Sequence, residues 1–162
     1  MAKYKTSGNT FQIDTYIDTT DDGIRVLSDD EVGALNKEKL PKNIVKEFSV
    51  WKKPVFSVRN AIMNGSFADL PDGRLKFDIG RHVVVRIRYL LVDWSLKESD
   101  PSLKLSHVDV GDGFGNKILS NESFKALMDV DGELVHDMYS KAMSRIYPDE
   151  AVVVNPPSGV KK

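Results

Sequence analysis

Residues 78–96 read DIGRHVVVRIRYLLVDWSL and form the most strongly patterned apolar segment of the 162-residue chain. Asp78 is a suitable N-cap, because its short carboxylate can accept hydrogen bonds from the free amides of a first helical turn. At about 100° per residue, one broad arc of this helix would carry Ile79, Val83, Val84, Ile87, Leu90, Leu91 and Trp94. The pattern therefore predicts a central helix over 78–96 with a core-facing apolar side.

A second apolar stripe lies on the far side of the same predicted helix. Val85, Tyr89, Val92 and Leu96 follow one another at spacings of four, three and four residues, which would make one continuous ridge. One interpretation is that the helix is central and packs on both sides. The other is that the ridge binds a partner chain. The β-branched run from Val83 to Ile87 also leaves a strand open as an alternative.

The remaining elements follow from alternation, capping residues and proline. Phe11, Ile13 and Ile17 indicate a strand, and Ile24–Leu27 a second short one. Ser28 and Glu31 are spaced for a capping box, with a helix ending by Leu40. Further along, the sequence predicts a strand at Phe48–Trp51, a short helix at Val58–Met63 capped by Ser57, a helix from Ser120 to Met128, and an amphipathic helix over 132–147 capped by Asp131.

These elements predict a mainly α fold with a small β contribution. We expect one compact domain over residues 1–147, with a strand-like N-terminal segment, built around the helices 78–96 and 132–147. Residues 148–162 contain Pro156, Pro157 and Gly159 and few large apolar groups, so we expect a loose C-terminal tail.

Composition limits the classes of function. The net charge is −1, which offers no basic field for nucleic acid, and the absence of cysteine removes disulfides and thiolate metal sites. No apolar run approaches the roughly 18 residues of a membrane span, and the N-terminus lacks the apolar core of a signal peptide. We therefore expect a cytoplasmic protein that binds neither membrane nor nucleic acid.

The sequence gives little support for catalysis or for a cofactor. The three histidines, His82, His107 and His136, lie far apart, so no metal or acid–base cluster is predicted. The glycines of residues 111–115 lack the lysine and hydroxyl residue of a phosphate loop. Residues 129–133 resemble the opening of a calcium loop, but Ser140 stands where the closing glutamate should be.

Three features occur in one order along the chain. A segment FSVWKKP at 48–54 precedes a short helix, a run RYLLVDWSLK at 88–97 closes a longer one, and a short capped helix leads into the amphipathic C-terminal helix. From Phe48 to Tyr147 this order resembles small tail assembly chaperones of tailed bacteriophages. The resemblance implies a non-enzymatic protein that binds apolar segments of a tail protein, such as a tape-measure protein, in the host cytoplasm.

Function is therefore predicted as protein binding, with Val85, Tyr89, Val92 and Leu96 as the partner-binding residues. Two alternatives remain open beside the chaperone. The chain suits a minor structural protein of the tail or baseplate, and it also suits a small inhibitor of a host enzyme. The sequence leaves the oligomeric state undetermined.

Overall fold

The computed structural model describes residues 9–20 and 23–150 of the chain. Its helices are α1 Asp29–Gly33, α2 Phe56–Gly65, α3 Ile79–Leu90, α4 Leu96–Ser99, α5 Asn121–Met128 and α6 Gly132–Ile146, with a 3₁₀ turn at Pro101–Leu103. Its strands are β1 Thr10–Asp18, β2 Arg25–Val26, β3 Ile44–Lys52, β4 Phe67–Asp69, β5 Leu75–Phe77, β6 Leu91–Trp94, β7 His107–Asp109 and β8 Lys117–Leu119.

The strands form a four-stranded antiparallel sheet in the order β2-β1-β3-β6 and two small sheets, β4-β5 and β7-β8. The structure is 43% helix and 26% strand, so the prediction of a mainly α fold is wrong and the fold is mixed α+β. The difference comes from strands of two to four residues, which are too short to show a period of two in the sequence.

The central helix is also shorter than predicted. It ends at Leu90, and Leu91 takes an extended conformation with φ −75° and ψ 121°. The next residues form β6, which pairs antiparallel with β3 in the register Ser49↔Trp94, Val50↔Asp93 and Trp51↔Leu91. The apolar run at 91–94 satisfies a helix pattern locally, but long-range pairing with β3 determines its conformation.

Most of the predicted helix starts are confirmed. Ser28 and Glu31 form the capping box of α1, the Asp78 carboxylate accepts from the Arg81 amide, and Ser120 caps α5. Asp131 accepts from the amides of residues 133 and 134 at the start of α6. The cap of α2 is wrong, because that helix begins at Phe56 with Val55 in the N-cap position and without a side-chain cap.

The chain divides into two compact units, and the division falls inside β1 and β3. The first unit holds residues 9–12 and 48–130. In it α2 packs against α3, and α3 packs against β6 and β8. Its buried apolar side chains are Phe11, Trp51, Val58, Ile62, Ile87, Leu90, Leu91, Trp94, Leu96, Leu119 and Leu127.

The second unit holds residues 13–20, 23–47 and 131–150. The buried Thr15 donates a hydrogen bond of 2.9 Å from Oγ1 to Oδ2 of Asp137 on α6, and Lys141 lies 2.8 Å from the same carboxylate oxygen. These contacts fix α6 to β1. The apolar core of this unit consists of Ile13, Tyr16, Ile17, Leu27, Leu134, Met138, Ala142, Met143 and Ile146.

Two expectations concern the chain as a whole. Residues 148–150 are helical, and the rest of the predicted tail, 151–162, lies outside the described residues. The expectation of one domain over 1–147 stays a prediction. Within residues 9–20 and 23–150, no helix has the length and apolar character needed to cross a bilayer.

Trp94 is the first stability test, because it is 1% exposed and its indole Nε1 donates to the Leu103 carbonyl at 2.7 Å. Trp94→Ala removes this packing and this hydrogen bond, so we expect it to lower the free energy of unfolding by about 3–5 kcal/mol. Phe56→Ala, at a side chain 83% exposed, should change it by about 0.5 kcal/mol at most. Urea denaturation measures both, and equal midpoints would contradict the burial of Trp94.

Asp18 gives a pH-dependent test in the second unit. Hydrogen bonds from Thr20 and then Asn43 hold the pKa of this carboxyl well below its ordinary value of 3.8. Because the folded state binds the proton less readily, the stabilisation is present above the unfolded-state pKa and is lost as pH falls below it. We expect Asp18→Asn to flatten the acid dependence of the free energy of unfolding, and Thr20→Val to flatten it in part. A wild-type slope in Asp18→Asn would contradict this role.

Candidate functional site

The four residues of the predicted ridge lie on three different elements. Val85 and Tyr89 are on α3, Val92 is on β6, and Leu96 begins α4. Because the helix ends at Leu90, the spacing of four, three and four residues no longer places these side chains in one row. The structure therefore brings together only Val85 and Tyr89, which are one helical turn apart.

The surroundings of these residues are those of packed side chains. A Cβ placed on Gly65 of α2 would lie 3.2 Å from both methyl groups of Val85, so the two helices touch at this point. Leu96 is only 7% exposed. Burial raises the pKa of Tyr89, and the nearby Asp112 carboxylate raises it further. Val85 and Leu96 therefore take part in packing the first unit, while Val85, Tyr89 and Val92 are half-buried.

Ser66 and His82 form a buried serine–histidine pair. Ser66 is fully buried, and its Oγ lies 2.6 Å from Nδ1 of His82. The Ser66 hydroxyl donates to the Ile62 carbonyl at 2.6 Å, so Nδ1 of His82 must be the donor to Ser66. A serine nucleophile needs the imidazole to accept its proton and a substrate needs access to it. This pair meets neither requirement and joins α2 to α3.

The other two histidines also have hydrogen-bond contacts. His107 Nε2 lies 2.9 Å from the Leu91 carbonyl, and His136 Nε2 lies 3.3 Å from the Ser140 hydroxyl. Within the described part of the chain, no three His, Cys, Asp or Glu side chains are close enough to share a metal ion.

A cleft of about 370 Å³ lies beside the start of α2. Lys52, Lys53 and Lys117 are among its lining residues, and burial lowers the pKa of Lys52. Asn116 also lines the cleft, and its side-chain amide donates to the Ser57 hydroxyl and the Asp112 carboxylate. None of the lining residues carries a carboxylate, imidazole or thiol, so this cleft contains no acid–base pair.

Three exposed apolar side chains lie on the β4–β5 hairpin and at the start of α3. Leu75, Phe77 and Ile79 are 65%, 42% and 69% exposed. Leu75 and Phe77 lie on one face of β5, because side chains alternate along a strand, and Ile79 follows two residues later. We call these three residues the apolar patch.

The hairpin is held in place by its turn and by aromatic contacts. Gly73 has φ +82°, a left-handed conformation that suits glycine, and the Leu70 amide donates to the Arg74 carbonyl. The rings of Phe67 and Phe77 meet edge to face with centroids 5.8 Å apart, and Phe77 also contacts His82. The patch is therefore attached to the buried part of the first unit.

The sequence interpretation missed this patch, although a signal was present. Residues 71–73 read Pro-Asp-Gly, and Leu75-Lys76-Phe77, which come soon after them, alternate apolar, polar, apolar. A Pro-Asp-Gly turn followed by such alternation is typical of a hairpin. Exposure of the apolar face is a property of the folded structure that this pattern does not contain.

No protein-family model, curated protein or solved structure matches the chain. The resemblance to tail assembly chaperones therefore stays a prediction from the sequence.

Two aspartate substitutions on α3 test how the ridge is used. Val85→Asp places a carboxylate against Gly65, so we expect it to lower the free energy of unfolding by about 1–3 kcal/mol. Ile79→Asp occupies the exposed first position of the same helix, where an acidic side chain is favourable, and should leave stability nearly unchanged. Thermal denaturation compares them. If the Val85→Asp protein were as stable as the Ile79→Asp protein, the packing of Val85 against Gly65 would be contradicted.

Proposed function

We propose that the chain is a protein-binding protein that takes an apolar segment of another protein onto the apolar patch. The observation that carries the proposal is the exposure of Leu75, Phe77 and Ile79 within five consecutive residues. Contiguous exposed apolar patches mark interaction surfaces, whereas single exposed apolar side chains are normal on a monomer.

The order of elements from Phe48 to Tyr147 supports a more specific form of the proposal, a tail assembly chaperone of a tailed bacteriophage. In that role the partner is an apolar segment of a tail or tape-measure protein, bound in the host cytoplasm before assembly. The proposal keeps the non-enzymatic class predicted from the sequence. It moves the binding surface from Val85, Tyr89, Val92 and Leu96 to the apolar patch.

The test uses a phage tail or tape-measure protein as the candidate partner, co-expressed with this chain and followed by co-elution and calorimetry. The double variant Leu75→Asp, Ile79→Asp should weaken binding at least about tenfold, because two exposed apolar contacts are replaced by charges. The matched control is Phe56→Asp with Phe114→Asp. Phe56 is the first residue of α2 as Ile79 is of α3, and Phe56 and Phe114 are 83% and 75% exposed.

Circular dichroism of both double variants should equal that of the wild type. Undiminished binding of the Leu75→Asp, Ile79→Asp protein would overturn the apolar patch as the binding surface. Purified virions supply the second readout. A chaperone should be absent from them, whereas a fixed copy number would favour the structural alternative over the chaperone.

A further inference from the structure

The hydrogen bonds of the β4–β5 hairpin define which backbone groups of β5 face outward. The Asp78 amide donates to the Ser66 carbonyl, and the Leu70 amide donates to the Arg74 carbonyl, both at 2.8 Å. In the register Phe67↔Phe77, Ala68↔Lys76 and Asp69↔Leu75, hydrogen-bonded pairs alternate with non-hydrogen-bonded ones. Residues 74, 76 and 78 therefore face β4, and the N–H and C=O groups of Leu75 and Phe77 point away from it.

That outward edge of β5 is available for pairing. β5 is one of the two strands of its sheet, and among residues 9–20 and 23–150 no hydrogen bond joins the outward backbone groups of Leu75 or Phe77 to another segment. A strand from another chain can pair with an edge of this kind. Its backbone would bond to the four outward N–H and C=O groups, and its side chains would contact the exposed apolar ones.

The charge beside this edge indicates what the added strand carries. Lys76 lies between Leu75 and Phe77 and projects to the opposite face of the hairpin. The neighbouring Arg74 is 2.6 Å from the Asp72 carboxylate, and the Asp78 carboxylate accepts from the Arg81 amide. Within the described residues Lys76 has no ion-pair partner, so a carboxylate on the added strand would complement it.

Resting on the proposed function, we propose that β5 binds its partner as an additional antiparallel β-strand, in which an acidic residue opposite Lys76 lies between two apolar residues. The two apolar residues form hydrogen-bonded pairs with Leu75 and Phe77 and extend the apolar patch. The acidic residue occupies the non-hydrogen-bonded position, where directly opposite side chains are closest.

This chemistry disfavours two other occupants. If a second copy of the chain paired through β5, the symmetric antiparallel register would use all four outward groups. It would place Lys76 of one copy directly opposite Lys76 of the other, and like charges in that position are destabilising. The chain's own Val152–Val154 segment would place the apolar Val153 opposite Lys76 and leave its charge without a partner.

The backbone part of the proposal is tested with an acetylated, amidated peptide that has Val-Glu-Val at its centre and serine and threonine elsewhere. NMR of the full-length protein should show shifts at the Leu75 and Phe77 amides and slower hydrogen exchange there. N-methylation of either valine should weaken binding at least about tenfold, since it removes a hydrogen bond to β5. N-methylation of the glutamate, whose N–H points away, should have little effect.

The pairing of Lys76 with an acidic residue is tested by reversing the charge on the peptide and on the protein. Replacing the glutamate of the peptide with lysine should weaken binding about fivefold or less, the range of a cross-strand ion pair. Lys76→Glu should invert this preference, and Lys76→Gln should remove it. An unchanged preference for glutamate in Lys76→Glu would overturn the pairing with Lys76.

The outcomes separate this proposal from the one it rests on. If the tail protein binds wild type but not Leu75→Asp, Ile79→Asp, while the methylated and unmethylated peptides bind alike, strand addition is wrong and the apolar patch stands. Peptide binding gained only on truncation after Glu150 would identify the chain's own terminus as the occupant and overturn the proposal. A dimer that Leu75→Asp dissolves would overturn it in favour of a second copy.

Discussion

The pairing of Leu91–Trp94 with β3 ends helix α3 at Leu90. The positions of the apolar side chains that follow depend on this junction between α3 and β6. Leu90 and Leu91, on either side of it, are both buried, as are Trp51 and Trp94 on the two paired strands. A helix continued to Leu96 would rotate Trp94 and Leu96 onto different faces and leave β3 without this neighbour. Burial of the two indoles against the core explains why the extended conformation is favoured.

Both indole N–H groups at this junction are hydrogen-bonded, so burying the rings leaves neither donor unpaired. Trp51 Nε1 donates to the Ser49 hydroxyl at 2.8 Å, and Trp94 Nε1 donates to the Leu103 carbonyl. Hydrogen bonds continue between β3 and the residue after β6, because the Phe48 amide donates to the Ser95 hydroxyl and the Ser95 amide donates to the Phe48 carbonyl. Buried donors are thus paired while the large rings leave water.

The features that could be predicted from the sequence are those set by neighbouring residues. The caps at Ser28, Asp78, Ser120 and Asp131 were predicted correctly, since a cap and the amides it accepts from lie within three residues. The end of α3 was not, because the residues that form β6 suit a helix locally and their partner strand is distant in the chain. The continuous ridge was wrong for the same reason, because it assumed a helix that continues past Leu90, whereas partner binding by its four residues stays a prediction. The apolar patch escaped prediction because exposure depends on what the rest of the chain covers.

The exposed hairpin depends on the buried pair beneath it. An isolated two-stranded hairpin is marginally stable in water, and strands of three residues are near the lower limit of length. Here the hairpin begins at Ser66 and ends at Asp78, whose backbone groups bond to each other, while Ser66 also contacts His82. The ring of Phe77 rests against His82, and the Arg81 guanidinium donates to the Phe67 carbonyl. Because both ends of the hairpin are fixed to α3, β5 is ordered before any partner arrives, and ordering it contributes little to the cost of binding.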